Sequence, residues 1–286
     1  MKILLLGANG QVGWELARAL APLGEVVATT RAQLDLTSEP DIRNAVRAVN
    51  PTWVVNAAAY TAVDAAESEP HAARWLNAEV PRILAEEAVR AGAWMVHYST
   101  DYVFDGRSTR PYVERDPASP LGVYGVTKYA GDVAVHASGV PHLLLRVAWV
   151  YGTRGRNFLR TMQKLSRERE LLRVVADQIG VPTWSRHIAE ATALMMAQRP
   201  SVEQSGTYHL AGEGSCSWYD FAEAIVRSDP DPGARVTRII EPIASSEYPT
   251  AAHRPSYSVL NAKRAQQVFG VQLPPWEAQL ALCLVE

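Results

Sequence analysis

The sequence predicts an α/β protein, a doubly wound parallel sheet with a smaller C-terminal substrate-binding region. Three observations lead there. Short apolar runs alternate with segments of helical periodicity through the first half. A glycine-spaced loop, Gly7 to Gly13, joins the first run to the first helix. Prolines then gather at 230, 232, 242, 249 and 255, after the alternation has ended.

Each element has a local reason. Residues 2–6, 25–29, 53–56, 94–99 and 142–150 are apolar runs that read as strands of a parallel sheet. Ser38 is placed to cap a helix whose first turn holds Pro40 and Asp41. Leu76, Val80, Ile83, Leu84 and Ala88 recur at spacings of three and four, so a helix beginning after Glu69-Pro70 buries one stripe. Beyond Gly152, helical signals at 158–169 and 188–198 precede a short strand at 207–210 and a helix at 218–226. The expected division is a dinucleotide-binding domain over 1–151 and a mainly substrate-binding region over 152–286. Helices between about 158 and 226 are expected to pack on the first domain as well.

Composition narrows the function. With 286 residues, 48% hydrophobic and 20% charged, the chain has material for a large core, which excludes a disordered or collagen-like protein. Its 28 Lys+Arg against 30 Asp+Glu leave a net charge of -2, so no nucleic-acid footprint is expected. No stretch approaches the roughly 18 consecutive apolar residues of a membrane span. The apolar start stops at Gly7, too soon for a signal peptide. Cys216 and Cys283 stand in no metal-ligand or redox spacing. The expectation is a cytoplasmic protein acting on a small molecule, away from membranes.

Gly7-Ala8-Asn9-Gly10-Gln11-Val12-Gly13 follows a strand and opens a helix over 14–20. Glycine permits the tight turn and close backbone approach, and the helix N-terminus offers unpaired N–H groups to a pyrophosphate. This context predicts a Rossmann-type dinucleotide site. A carboxylate at the end of the second strand would accept hydrogen bonds from a 2′-hydroxyl and repel a 2′-phosphate. Here Thr29-Thr30-Arg31 sets hydroxyls beside a guanidinium, and no acid appears until Asp35. NADPH is favoured, with NADH the open alternative.

Tyr124 and Lys128 are four residues apart and share a face if the segment is helical. A nearby cation is expected to lower a phenol from its reference near ~10 toward working pH, so that it exchanges a proton with a carbonyl or alcohol. Thr100, at the end of the fourth strand, would share a crevice with the Gly10 loop and hydrogen-bond the reacting oxygen. Asp101 either joins that site or caps a turn. Arg254 is the expected cation for a substrate diphosphate. Trp149 offers an apolar face to a ligand or fills core.

These residues resemble the extended short-chain dehydrogenase/reductase family, through Gly7-x-x-Gly10-x-x-Gly13, Thr100 and Tyr124-x-x-x-Lys128. Within it they are similar to the dTDP-4-dehydrorhamnose reductases. Blocks at 10–15, 56–64, 66–70, 99–106 and 119–128 carry that finer match, with Trp149-Val150-Tyr151, Asn157-Phe158 and Arg254-Pro255. The resemblance implies a dTDP-sugar substrate reduced at C4 with NADPH. It implies that Gly10, Gln11, Val12, Thr30, Asp35, Leu36, Ala59, Tyr60 and Thr61 line the cofactor. It places Thr100, Asp101 and Trp149 on the sugar nucleotide, together with Asn157. Tyr124 becomes the proton donor and Lys128 the holder of the nicotinamide ribose. Some relatives form magnesium-bridged dimers, which makes Glu15 and Glu190 candidate ligands for Mg2+ and a homodimer an open expectation. Nucleotide-sugar epimerases and dehydratases share these motifs, as does a non-catalytic NADP-binding subunit of methionine adenosyltransferase. Tyr102, following Asp101 where dehydratases carry an acid, speaks against a dehydratase.

Overall fold

A computed structural model describes residues 1–285. The chain begins β1 (Lys2–Leu6), α1 (Gln11–Ala19), β2 (Glu25–Thr29), α2 (Glu39–Val49) and β3 (Trp53–Asn56). It continues through α3 (Val63–Ala66), α4 (Pro70–Arg74), a π-helical turn (Trp75–Glu79), α5 (Val80–Ala91), β4 (Trp94–Thr100), α6 (Val123–Ala137) and β5 (His142–Val147). Then come β6 (Val150–Tyr151), α7 (Phe158–Glu168), β7 (Leu171–Val175), β8 (Ile179–Gly180), β9 (Thr183–Trp184), α8 (Ser185–Ala197) and β10 (Gly206–Leu210). The chain closes with β11 (Cys216–Ser217), α9 (Trp218–Arg227), β12 (Ile239–Ile243), α10 (Lys263–Phe269) and α11 (Trp276–Leu284). No helix among the described residues is long and apolar enough to cross a membrane.

The main sheet has six parallel strands in the order β10-β5-β4-β3-β1-β2. Alternation along β1 explains its two covers. Ile3 and Leu5 pack toward Leu16 of α1, Leu20 at its C-cap, and Ile188 and Met195 of α8. Leu4 and Leu6 face Ile42 and Val46 of α2 and Ile83, Leu84 and Ala88 of α5. The chain leaves β1 first toward β2 and then, through β3, toward the opposite edge, so a crevice opens at the carboxyl ends beside β1. The expected cap forms: the Ser38 hydroxyl accepts the Asp41 N–H at 3.4 Å.

Three expectations need correction. The run 142–150 is not one strand: β5 ends at Val147, Trp149 adopts φ +43°, and β6 pairs with β9 in a separate small sheet. The helix after Pro70 is interrupted by the π turn. Residue 151 is not a clean division: α8, one of the helices expected on the first domain, packs there and β10 joins the first sheet, while Val103, Phe104 and Tyr112 join the second core. That second core is built on Tyr151, Leu159, Met162, Trp184 and Phe221, so α7 and α9 pack there and not on the main sheet.

Candidate active site

A cleft of about 1220 Å³ runs across the carboxyl ends of β1 to β5. At its β1 end Gly7 sits at φ +77°, and a Cβ there would lie 2.7 Å from the Ala58 nitrogen. Gly13 lets α1 close on the loop, since its Cβ would meet the Gly7 carbonyl oxygen. It packs rather than lining the cleft. Gly10 caps α1 without a side chain and no acid occupies the first turn, so that turn's N–H groups face the cleft unneutralised. A glycine cradle, free N–H donors and an elongated cleft fit a dinucleotide.

At the end of β2 the Thr30 hydroxyl and N–H both donate to Gln33 Oε1 at 3.0 Å. Asp35 accepts from the Thr37 N–H and hydroxyl at 2.8 Å, and those bonds, with Arg31 nearby, hold its carboxyl below the usual range. Leu36 fixes the same wall, its carbonyl accepting the Trp75 indole N–H at 2.6 Å. Ala59, Tyr60 and Thr61 follow β3 and are held from the π turn. Asn77 there is fully buried, accepts the Tyr60 N–H at 2.8 Å and donates to the Tyr60 carbonyl at 3.1 Å and to Thr127 of α6 at 3.2 Å.

The opposite end holds the expected chemistry. Thr100 closes β4, accepts the Tyr102 N–H at 3.1 Å and donates to Asp101 Oδ1 at 3.0 Å. Asp101 is 1% exposed, and burial pushes its carboxyl up to about 6 against the pull of Ser258 and Thr100. Tyr124 and Lys128 both project into the cleft from α6. The Tyr102 ring meets that of Tyr124 edge-on at 5.5 Å. Lys128 Nζ donates to the Tyr98 carbonyl at 2.5 Å, and burial brings its amine down to about 8 while Asp132 works the other way. A lowered phenol is not found: burial raises Tyr124 above its ordinary range, with the Thr100 bond pulling down and Asp101 pushing up. Desolvation sets the direction, and the neighbouring acids and phenol push the same way.

A family model described as the RmlD substrate binding domain matches residues 1–286. The chain belongs to this family. It is 48% identical over 293 residues to a dTDP-4-dehydrorhamnose reductase of Burkholderia thailandensis, spanning 99% of this chain and 98% of that protein. With the Escherichia coli K12 enzyme of that name it shares 42% over 294 residues, covering 100% and 98%. The crystal structure of a Clostridium acetobutylicum dTDP-4-dehydrorhamnose reductase superposes with TM-score 0.92 at 36% identity, covering 100% of this chain and 99% of that one. The Bacillus anthracis enzyme, solved in complex with NADP, gives TM-score 0.89 at 34% identity, with coverage of 100% and 99%.

Of the site residues expected from the sequence, Gly7, Gly10, Gln11, Val12, Thr30 and Arg31 line the cleft. So do Asp35, Leu36, Ala59, Tyr60 and Thr61, with Thr100, Asp101, Tyr124, Lys128, Trp149 and Asn157. Arg254 does not. Its guanidinium is bound to Asp64 at 2.7 Å and lies beside Tyr102, because the loop that carries it packs against α3. Asn157 is a cap as much as a wall: its Oδ1 accepts the Arg160 N–H at 3.1 Å while its Nδ2 donates to Gln11 and to the Gly152 carbonyl, each at 2.8 Å. Glu15 is ion-paired with Arg186 at 3.3 Å, and Glu190 is exposed on α8. Among the described residues no group of three or more His, Cys, Asp or Glu could hold a metal ion.

Sequence reasoning missed Trp218, whose ring stacks on Trp149 at 3.4 Å with 4° between planes, and Arg156. Two aromatics 69 positions apart carry no mutual signal in the chain. Gly180 leaves room for the Trp149 indole, which a Cβ there would strike at 2.3 Å.

Proposed function

We propose that this chain is an NADPH-dependent oxidoreductase that reduces the C4 keto group of dTDP-4-dehydro-6-deoxy-L-mannose to dTDP-L-rhamnose, the last step of dTDP-L-rhamnose synthesis. The observation that carries the reading is one cleft with Thr100, Tyr124 and Lys128 at one end and the Gly10 loop and Thr30-Arg31 at the other. NADPH supplies the hydride when bound. The chain's residues do the rest. Tyr124 donates the proton to the C4 oxygen, and a phenol kept protonated by burial is ready for that direction of reaction. Lys128 spends one N–H on Tyr98 and keeps two for the ribose and the phenolate left behind. Thr100 aligns the carbonyl, and the Trp149–Trp218 stack walls the sugar side. Asp35 turns to Thr37, and Arg31 is exposed at the end of β2, which supports NADPH over NADH.

The test follows NADPH absorbance with freshly generated dTDP-4-dehydro-6-deoxy-L-mannose, with Tyr124→Phe alongside. The substitution is expected to lower kcat by roughly 10²–10⁴ and to leave NADPH affinity nearly unchanged. Near-normal turnover of the variant would remove Tyr124 as proton donor. Absence of net NADPH loss in the wild type would point to an epimerase-like cycle.

A further inference from the structure

With Arg254 bound to Asp64, the cations lining the cleft among the described residues are Arg31, Lys128 and Arg156. Arg31 stands at the end of β2, and Lys128 is committed to Tyr98 beside Tyr124. Arg156 lines the cleft between Gly155 and Asn157, the two residues that approach Gln11 in the first turn of α1. It sits in a strap, residues 153–156, that links β6 to α7. Two contacts pin this strap onto α1. The Arg154 guanidinium lies 3.4 Å from the Trp14 ring centroid, and Arg18 lies 3.8 Å from the same ring. Asn157 donates to Gln11 Oε1 at 2.8 Å. Between them Gly155, at φ +71°, brings the backbone so close that a Cβ would lie 3.3 Å from Gln11 Cγ. Arg156 is exposed, and no ion pair or hydrogen bond engages its side chain. It is therefore an unpaired cation on a strap held against a helix N-terminus that has neither an acidic first turn nor a side-chain cap.

We propose that Arg156 binds the diphosphate of the dinucleotide, so that the second region closes the cofactor site from above with a charge the glycine loop lacks. This rests on the NADP(H) reading of the cleft. Calorimetry on the purified full-length chain tests it with three probes: NADP+, adenosine 2′-monophosphate, which has no diphosphate, and dTDP. Arg156→Ala is expected to weaken NADP+ by roughly 5- to 20-fold, the range for an exposed charge-assisted contact. It should flatten the salt dependence of that affinity and leave the other two probes unmoved. Arg156→Lys should recover most of the loss. Arg154→Ala, which frees the strap but keeps the Arg156 guanidinium, should cost NADP+ a smaller factor. An unchanged NADP+ affinity in Arg156→Ala, beside normal wild-type binding, overturns the assignment. So does an equal loss for adenosine 2′-monophosphate, or a loss confined to dTDP, which would give the strap to the substrate's diphosphate. Failure of the wild type to bind NADP+ would instead bring down the cofactor reading beneath it.

Discussion

Asp101 is a buried carboxyl in the cleft whose cost to the fold depends on pH. Its folded carboxyl is pushed up to about 6, whereas an unfolded aspartate titrates near ~3.9. The folded chain therefore holds a proton that the unfolded chain releases between those values. Its contribution to stability is fully present below roughly pH 4 and is lost as pH rises through about 6. At neutral pH the buried carboxylate is a standing cost. Asp101→Asn is expected to be more stable than the parent near pH 7 by about 1–3 kcal/mol, with the gap closing toward pH 4, as thermal denaturation across that range would show. A gap that stays constant with pH would trace it to packing. The residue scale also marks a limit of the sequence. Spacing placed Tyr124 and Lys128 on one face of α6, but the direction of the phenol's shift depends on burial, which spacing does not encode.

The decisive element is the interrupted helix from Pro70 to Ala91. Apolar periodicity through Leu76, Val80, Ile83, Leu84 and Ala88 made it legible as one helix, because a π turn inserts its extra residue without ending the apolar stripe. The turn exposes the Asn77 carbonyl toward α6, which approaches so closely that a Cβ at Gly131 would overlap that oxygen. Asn77 thereby ties the Tyr60 loop to the helix carrying Tyr124 and Lys128. Gly131→Ala must push the two helices apart, and a loss of about 1–3 kcal/mol is expected, read as a lower midpoint in denaturant. An unchanged midpoint would mean that the contact relaxes freely. The cofactor loop was legible for the opposite reason: Gly7, Gly10 and Gly13 meet their steric demands within seven consecutive residues.

For the whole molecule, two cores are interleaved by the chain. The alternation of strands and helices was readable up to β5, whereas the return of β10 to the sheet edge was not, since an edge strand's partner lies 63 residues earlier and leaves no mark on the strand itself. Because α8 and β10 cross back, neither core closes without the other's segments. A single cooperative unfolding transition is expected, with calorimetric and van't Hoff enthalpies equal. Two separated transitions would show the second core to be an independent unit.

The stack of Trp149 on Trp218 also carries an optical consequence. Two indoles face to face at 3.4 Å couple their electronic transitions, so the pair forms a chromophore of its own at the wall of the cleft. A sugar that shifts either ring alters the circular dichroism and emission of that pair. Under the proposed function the molecule thus contains an unlabelled reporter of sugar occupancy, at the Trp149 wall of the cleft.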